Sequence, residues 1–381
     1  MNFSMSKEQV DILDAAASFA KGEFDPDLIE ECERKCKFPV EIWKKACELG
    51  YIGMCIPEKY GGQELGLLES SLVFETFCRQ DSGTGLALAL SDLGSEIILR
   101  YGNEEQKKKY LPSICGGKGV ISLAYLEKGQ ENGMGFFETT ATKKGDGYVI
   151  NGTKIFVSNI TQSGPVIVLC RLTEGSRAGE NAAFLIKKDL KGLASSLFGD
   201  RVGMRMVPVG NLAFMDVLVP DECLLGDGRD GQSQLNILLN EMNVKAAATG
   251  TGIAQGAFDM ALAYARRREQ FGRKIGSFEA IRGKLTDMLI RIELSRLMTY
   301  KAAWDLDGNS GNSVPAAMAK KVAAETAMEV ARDSLHIFGG YGYIVDYRIE
   351  RFYRDASMID IIGLPGHSHE SFFADQAIGK M

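Results

Sequence analysis

No stretch of the 381 residues approaches the ~20 consecutive apolar residues that a membrane-spanning helix needs. The opening segment, Met1 to Phe24, carries acids early and has no basic region ahead of a long apolar run, so it reads as neither signal peptide nor anchor. Positive charge is not in excess either. The 44 lysines and arginines face 50 aspartates and glutamates, a net charge of -6, which leaves no basic field for sequence-independent nucleic-acid binding. The eight cysteines (Cys32, Cys36, Cys47, Cys55, Cys78, Cys115, Cys170 and Cys223) never take CxxC spacing and several sit in apolar runs. They read as reduced thiols of a cytoplasmic protein, not as a disulfide or metal framework.

What is present is enough apolar residue, 45%, to fill two or three packed units. Residues 1–118 read as a helical unit. Ser6 and Gln9 make a capping box, and Val10, Leu13, Ala17 and Ala20 follow at helical spacing. Breaks are expected at Pro39, at Pro57 with Gly61-Gly62, at Gly83, at Gly102-Asn103 and at Gly116-Gly117. Residues 119–230 turn to short β-branched and aromatic runs, at 120–123, 148–150, 154–158, 166–170 and 212–219, and predict an antiparallel β domain. Asn151-Gly152 is expected to form a type I′ hairpin turn. Over 231–381 the helical period returns, near 232–270, 277–305 and 314–337, and predicts a four-helix bundle.

Specific strings follow one another along this helix, β, helix order: Pro57-Glu58-Lys59-Tyr60-Gly61-Gly62; Tyr101-Gly102-Asn103-Glu104-Glu105-Gln106-Lys107 leading to Tyr110-Leu111-Pro112; the run from Tyr148 to Asn159; Phe214-Met215-Asp216-Val217; Arg268-Glu269-Gln270-Phe271-Gly272; and Phe338-Gly339-Gly340-Tyr341-Gly342. As a series covering nearly the whole chain, they make it resemble the acyl-CoA dehydrogenases. That resemblance implies FAD in a cleft between the β domain and the C-terminal bundle, an acyl-CoA substrate, an electron-transferring flavoprotein as redox partner and a homotetramer. The chemistry is a proton taken from beside the thioester by a carboxylate, with hydride passing from the neighbouring carbon to flavin N5.

The resemblance also implies roles position by position. Phe156 stands for a tryptophan stacked on the isoalloxazine, and Ser158 for a threonine that reaches N5. Tyr125 and Leu126 match the segment whose main chain meets the pyrimidine edge. Arg268 and Phe271 match residues that reach the diphosphate and adenine of a neighbouring subunit's FAD; Gly339 and Gly340 would let backbone approach the same FAD, and His336 replaces a glutamine bonded to it. Asn132 replaces a serine that contacts substrate and cofactor.

The catalytic glutamate is missing from both positions where the family keeps it: one holds Gly363, the other Met242, followed by Asn243. Three acids are candidate substitutes. Glu241 is one helical residue, about 100°, from the second position. Glu370 lies seven residues beyond the first. Asp92, between apolar Leu86–Leu90 and Leu93, matches a small neutral residue on the helix that lines the acyl pocket; it either faces that pocket as a base or caps the helix running to Tyr101. A displaced base suits a displaced proton. In a cyclohex-1-ene thioester the C3 hydrogen is acidified through the double bond, and loss of a proton from C3 with hydride from C6 is a 1,4-elimination giving the conjugated 1,5-diene. The pattern is similar to the cyclohex-1-ene-1-carboxyl-CoA dehydrogenase branch of anaerobic aromatic degradation, and Ser82, Gly83, Thr84, Gly85, Ala87 and Ala89 would suit a compact ring or close helix packing. The alternatives are an ordinary 1,2-dehydrogenase or reductase with Glu241 as base, and a non-catalytic acyl-CoA-binding flavoprotein. His367 and His369 lack a third ligand, so no metal is expected.

Overall fold

The computed structural model describes residues 4–129, 137–175, 178–228, 231–308 and 313–363. Its first elements are α1 (Lys7–Glu23), α2 (Pro26–Arg34), α3 (Val40–Glu48), α4 (Leu67–Gln80), α5 (Ser82–Ala89), α6 (Ser95–Tyr101) and α7 (Glu104–Cys115). The capping box at Ser6 and Gln9 forms as the sequence predicts, satisfying two donors at the start of α1. The stripe that α1 buries is Ala16, Phe19 and Ala20, while Val10 and Ala17 face solvent. Gly83 is no break, since it lies inside α5; the chain turns at Asp81, whose side chain caps α5 through the Thr84 N–H.

The β unit holds β1 (Ser122–Ala124), β2 (Thr140–Lys144), β3 (Gly147–Ser158), β4 (Val166–Leu172), β5 (Asn181–Ile186), β6 (Leu193–Leu197), β7 (Val209–Pro220) and β8 (Leu224–Leu225). They join in one sheet of order β6-β7-β3-β2-β4-β5-β8, with β1 on β4. The sheet is not wholly antiparallel: β4 runs parallel to both β1 and β2. Its apolar run has a simple cause. Ile167 and Leu169 point into the main core and Val166, Val168 and Cys170 into a second one, so both faces are covered. The hairpin turn expected at Asn151-Gly152 sits instead at Gly145-Asp146, between paired Lys144 and Gly147. Asn151-Gly152 is interior to β3, where the register against β7 shifts between Ile150 and Gly152, and Asn151 exchanges two hydrogen bonds with Asp216.

The chain then forms α8 (Gly231–Arg267), α9 (Glu279–Asp307), α10 (Val314–Phe338) and α11 (Ile349–Ile359). From Glu241 to Phe258 every residue of α8 is buried, so this helix is covered all round and shows no single apolar stripe. Its small residues let α4 approach: a Cβ on Gly252 would lie 2.3 Å from the Glu75 carbonyl oxygen. The main core is continuous from α1 to α11 and takes in one face of the sheet. No helix among the described residues is long and apolar enough to cross a membrane.

One ion pair ties the β unit to the segment that leaves β1. The Lys154 ammonium, with a fully buried side chain, donates to Glu127 at 2.6 Å and to the Tyr125 carbonyl at 3.3 Å, and it lies over the Phe137 ring. Glu127 also accepts from the N–H groups of Glu138 and Thr139. Removing one partner strands the other charge in the interior. Lys154→Met should therefore cost about 3–5 kcal/mol of unfolding free energy in urea titration, whereas the double change Lys154→Met with Glu127→Gln should recover part of that loss.

Candidate active site

A narrow apolar cavity opens where the sheet meets the helices. Leu90, Leu93, Leu123, Tyr125, Leu126, Phe156, Ser158, Met204, Val209, Met242, Met358, Ile361, Ile362 and Gly363 line it. Six residues singled out from the sequence thus come together here: Tyr125, Leu126, Phe156, Ser158, Met242 and Gly363. Phe156 carries the least ordinary backbone of the group, with φ +53°, at a second register shift in β3 between Lys154 and Val157. A bulky residue in the left-handed region is strained, and such strain gathers at functional sites. The irregularity leaves the ring 51% exposed and leaning on Phe198 at 5.0 Å between centroids. Across the cavity the buried Tyr125 hydroxyl donates to the Gly363 carbonyl at 3.2 Å, tying the β unit to the end of α11.

Gly363 and Met242 converge on one corner. A Cβ on Gly363 would stand 3.9 Å from the Met242 Cβ, 3.6 Å from Asn243 Oδ1 and 3.8 Å from Lys320 Nζ. Lys320 has no exposed surface, donates to the Asp360 carbonyl at 3.1 Å, and burial pulls its ammonium down to about 8. Among the described residues no aspartate or glutamate lines the cavity.

The nearest acids sit behind its wall. Asp92 is 5% exposed, in the turn between wall residues Leu90 and Leu93, and is itself not a lining residue. Its Oδ1 accepts from Lys245 at 2.6 Å and its Oδ2 from the Gly53 N–H at 2.8 Å. It does not cap α6, whose N-cap is Gly94. Lys245 also meets Glu241 at 3.2 Å, one turn back along α8, and Glu241 accepts a long hydrogen bond of 3.4 Å from the Gly94 N–H. Burial pushes Glu241 up to about 7; Lys245 draws it back, and Asp92 and Glu96 push it further up. Burial works against the charge of Lys245, yet Asp92 and Glu241 outweigh it and hold the ammonium above the usual lysine range. Sequence reasoning missed Lys245. The available signal was a lone basic residue in the otherwise apolar run Val244 to Ala248.

The small residues of α5 serve packing: Gly85 has no room for a Cβ beside Cys78, and none of residues 82–89 lines the cavity. A second set of sequence candidates lies elsewhere. Arg268 lines a separate basic pocket with Arg267, Lys274, Tyr264 and Tyr341, and its guanidinium lies 5.4 Å from the Tyr341 ring centre. Phe271, at the tip of the following hairpin, is 93% exposed. His336 is in the last turn of α10, 3.9 Å from Asp333, and a Cβ on Gly339 or Gly340 would meet nothing within 4 Å. These two sets do not share a pocket within one chain. Asn132, His367, His369 and Glu370 lie outside the described residues, and among the described residues no cluster could hold a metal.

The chemistry of the lining suits an isoalloxazine. The cavity is apolar and bounded by a half-exposed aromatic ring, and the Ser158 hydroxyl has no partner among the described residues. Comparison with known proteins points the same way. Three domain families match in order: the acyl-CoA dehydrogenase N-terminal domain over residues 6–118, the middle domain over 122–217 and the C-terminal domain over 229–368. The chain is 36% identical over 364 residues to a probable acyl-CoA dehydrogenase, YngJ, of Bacillus subtilis, covering 95% of each. Among solved structures it resembles butyryl-CoA dehydrogenase from Megasphaera elsdenii with a TM-score of 0.93 and 30% identity, covering 99% of this chain and 100% of that one. It also resembles a chain in a structure of the electron-transferring flavoprotein of Acidaminococcus fermentans with a TM-score of 0.94 and 34% identity, covering 100% of both.

Glu241 generates a test of the buried cluster. An acid whose folded value is raised, here to about 7, binds more protons folded than unfolded between the ordinary carboxylate range and that value. Its favourable contribution is present at low pH and lost as pH climbs to about 7. Glu241→Gln removes this loss. Its stability relative to the parent should therefore rise between about pH 4 and pH 7 and level off above, by on the order of 1–3 kcal/mol in urea titrations; a difference that stays flat with pH would contradict the assignment.

Proposed function

Because the chain belongs to the acyl-CoA dehydrogenase family, and is thus an FAD-dependent oxidoreductase of acyl-CoA thioesters, we propose that it performs the 1,4-elimination of a cyclic enoyl-CoA, cyclohex-1-ene-1-carboxyl-CoA, with Asp92 as base. The observation that carries this reading is the acid-free corner. Met242 and Gly363, the two usual sources of the base, stand side by side on the cavity and neither carries a carboxylate. A proton beside the thioester carbonyl has no acceptor there, and Asp92, between wall residues Leu90 and Leu93, is an acid directly behind the wall.

FAD, when bound, supplies the two-electron acceptor. Tyr125, Leu126, Phe156 and Ser158 would hold its ring system, and Arg268, Phe271, His336, Gly339 and Gly340 the diphosphate and adenine portion of a neighbour's cofactor. Asn132 would touch the thioester. This chain's own contribution is an apolar lining against the ring, and a carboxylate fixed by the Lys245 and Gly53 donors behind the wall at Leu93. The proton taken at ring C3 goes to Asp92, while the second hydrogen and two electrons leave from C6.

Glu241 supports a second reading, ordinary 1,2-dehydrogenation or reduction, because it directly precedes Met242 of the cavity wall and burial holds it at about 7, a value suited to a base. Self-association into a homotetramer is supported by Ile290, Leu294, Leu297 and Trp304, exposed along one side of α9, and by the bare ring of Phe271. The likeness to the Acidaminococcus fermentans chain supports an electron-transferring flavoprotein as redox partner. Eight cysteines, all free, support a cytoplasmic setting.

Anaerobic mixing with the cyclohexenoyl thioester should bleach the flavin of the parent protein. Asp92→Asn should keep FAD and slow bleaching by about 10²–10⁴-fold; unchanged bleaching would refute Asp92. Bleaching by saturated open-chain thioesters, abolished in Glu241→Gln, would establish the second reading, and a spectral shift without bleaching would mark a binding protein. Met242→Glu should add the missing acid at the corner and create bleaching with saturated acyl-CoA.

A further inference from the structure

A base that works more than once must lose the proton it has taken, and the surroundings of Asp92 leave few ways out. Both carboxylate oxygens already have partners, Lys245 at 2.6 Å and the Gly53 N–H at 2.8 Å, and the residue is 5% exposed. Three cysteine thiols lie close enough to feel its charge: Cys47 on α3, Cys55 in the turn before η-helical residues 58–60, and Cys115 on α7. Burial raises all three thiols to about 12 or beyond, so none of them is a ready proton carrier near neutral pH. The remaining titratable contact is Lys245, which stands between Asp92 and Glu241.

Resting on the reading of Asp92 as base, we infer that Lys245 and Glu241 carry the abstracted proton from Asp92 towards water. The step balances without any co-reactant. The Lys245 ammonium passes one hydrogen across 3.2 Å to Glu241 Oε1 as Asp92 returns one across 2.6 Å to Lys245 Nζ. The ammonium ends as it began, the Asp92 carboxylate is restored, and Glu241 holds the proton; no electrons move. Glu241 is built for the receiving end. Among the described residues its one backbone donor, Gly94, is at 3.4 Å, a weak hold that leaves the carboxyl free to accept and release. Glu96 on α6 is the third charged group that acts on it besides Asp92 and Lys245, and its side chain is partly exposed and paired with Arg100. The value of about 7 then lets Glu241 reload and discharge at neutral pH.

Stopped-flow reduction of the holoenzyme with cyclohex-1-ene-1-carboxyl-CoA in weak buffer, with a pH-indicator dye, reads bleaching and proton release in one turnover. In the parent protein the two should coincide above about pH 7, and release should fall behind bleaching as Glu241 becomes protonated beforehand at lower pH. Glu241→Gln should make release lag bleaching by about tenfold or more at every pH. Lys245→Arg keeps a cation for both acids but cannot surrender a proton, so it should show the same lag. A ligand-free measurement backs these: infrared titration of the holoenzyme should show one carboxyl titrating near pH 7 that is absent from Glu241→Gln. Release coincident with bleaching in both variants, or a titrating carboxyl that survives Glu241→Gln, would overturn the relay while leaving Asp92 as base. Failure of the parent protein to bleach would instead overturn both.

Discussion

A single ammonium held between two carboxylates organises the centre of this molecule. Lys245 lies in the fully buried stretch of α8, with Asp92 on one side and Glu241 on the other. Ionised groups this deep are costly unless each finds a partner. The backbone completes the set: Gly53 donates to Asp92 and Gly94 to Glu241, so the segment after α3 and the turn before α6 are shaped around the charges. Gly94, with φ +96°, takes a conformation that L side chains rarely adopt. The arrangement couples the N-terminal helices to the C-terminal bundle through electrostatics as much as through the continuous apolar core.

The cavity beside this cluster is assembled by constraints that reach it from three directions. The sheet supplies Phe156 by means of a bulge, the helices supply Leu90, Leu93 and Met242, and the end of α11 supplies Ile361, Ile362 and Gly363. Tyr125 joins two of these directions by donating to Gly363, while Lys154 and Glu127 hold the segment on which Tyr125 sits. Asp355 of α11 adds a further tie, accepting from Ser82 at the start of α5 and from the backbone of Met204 in the cavity wall.

Much of this was legible in the sequence because it follows from local rules. The long C-terminal helices lie between clear breaks, so α8, α9 and α10 fall close to where the sequence places them. The residues that the motifs assign to the flavin ring meet around one cavity. What escaped is what depends on contacts distant in the chain. β2, β5 and β6 are short or carry polar residues, and only pairing with neighbours makes them strands. The turn chemistry of Asn151-Gly152 was overridden because β3 continues through it to pair with β7, and the bulge there absorbs the same backbone freedom. The small residues of α5 suit a compact ring or close helix packing from the sequence alone, and their contact with α4 favours packing. Above all, the partner of Asp92 lies 153 residues away on α8, a separation at which no spacing argument operates.

Gly363 holds φ +81°, and this makes the two sides of the acid-free corner unequal. Any side chain introduced there would inherit a backbone that resists it, so regaining a carboxylate from that direction requires the exit of α11 to take another course. Helix α8 imposes no such condition, since Met242 already projects its side chain in a regular helical geometry. A carboxylate can therefore be added to this pocket by one replacement on α8, whereas the same change at the α11 end must first undo the backbone turn at Gly363.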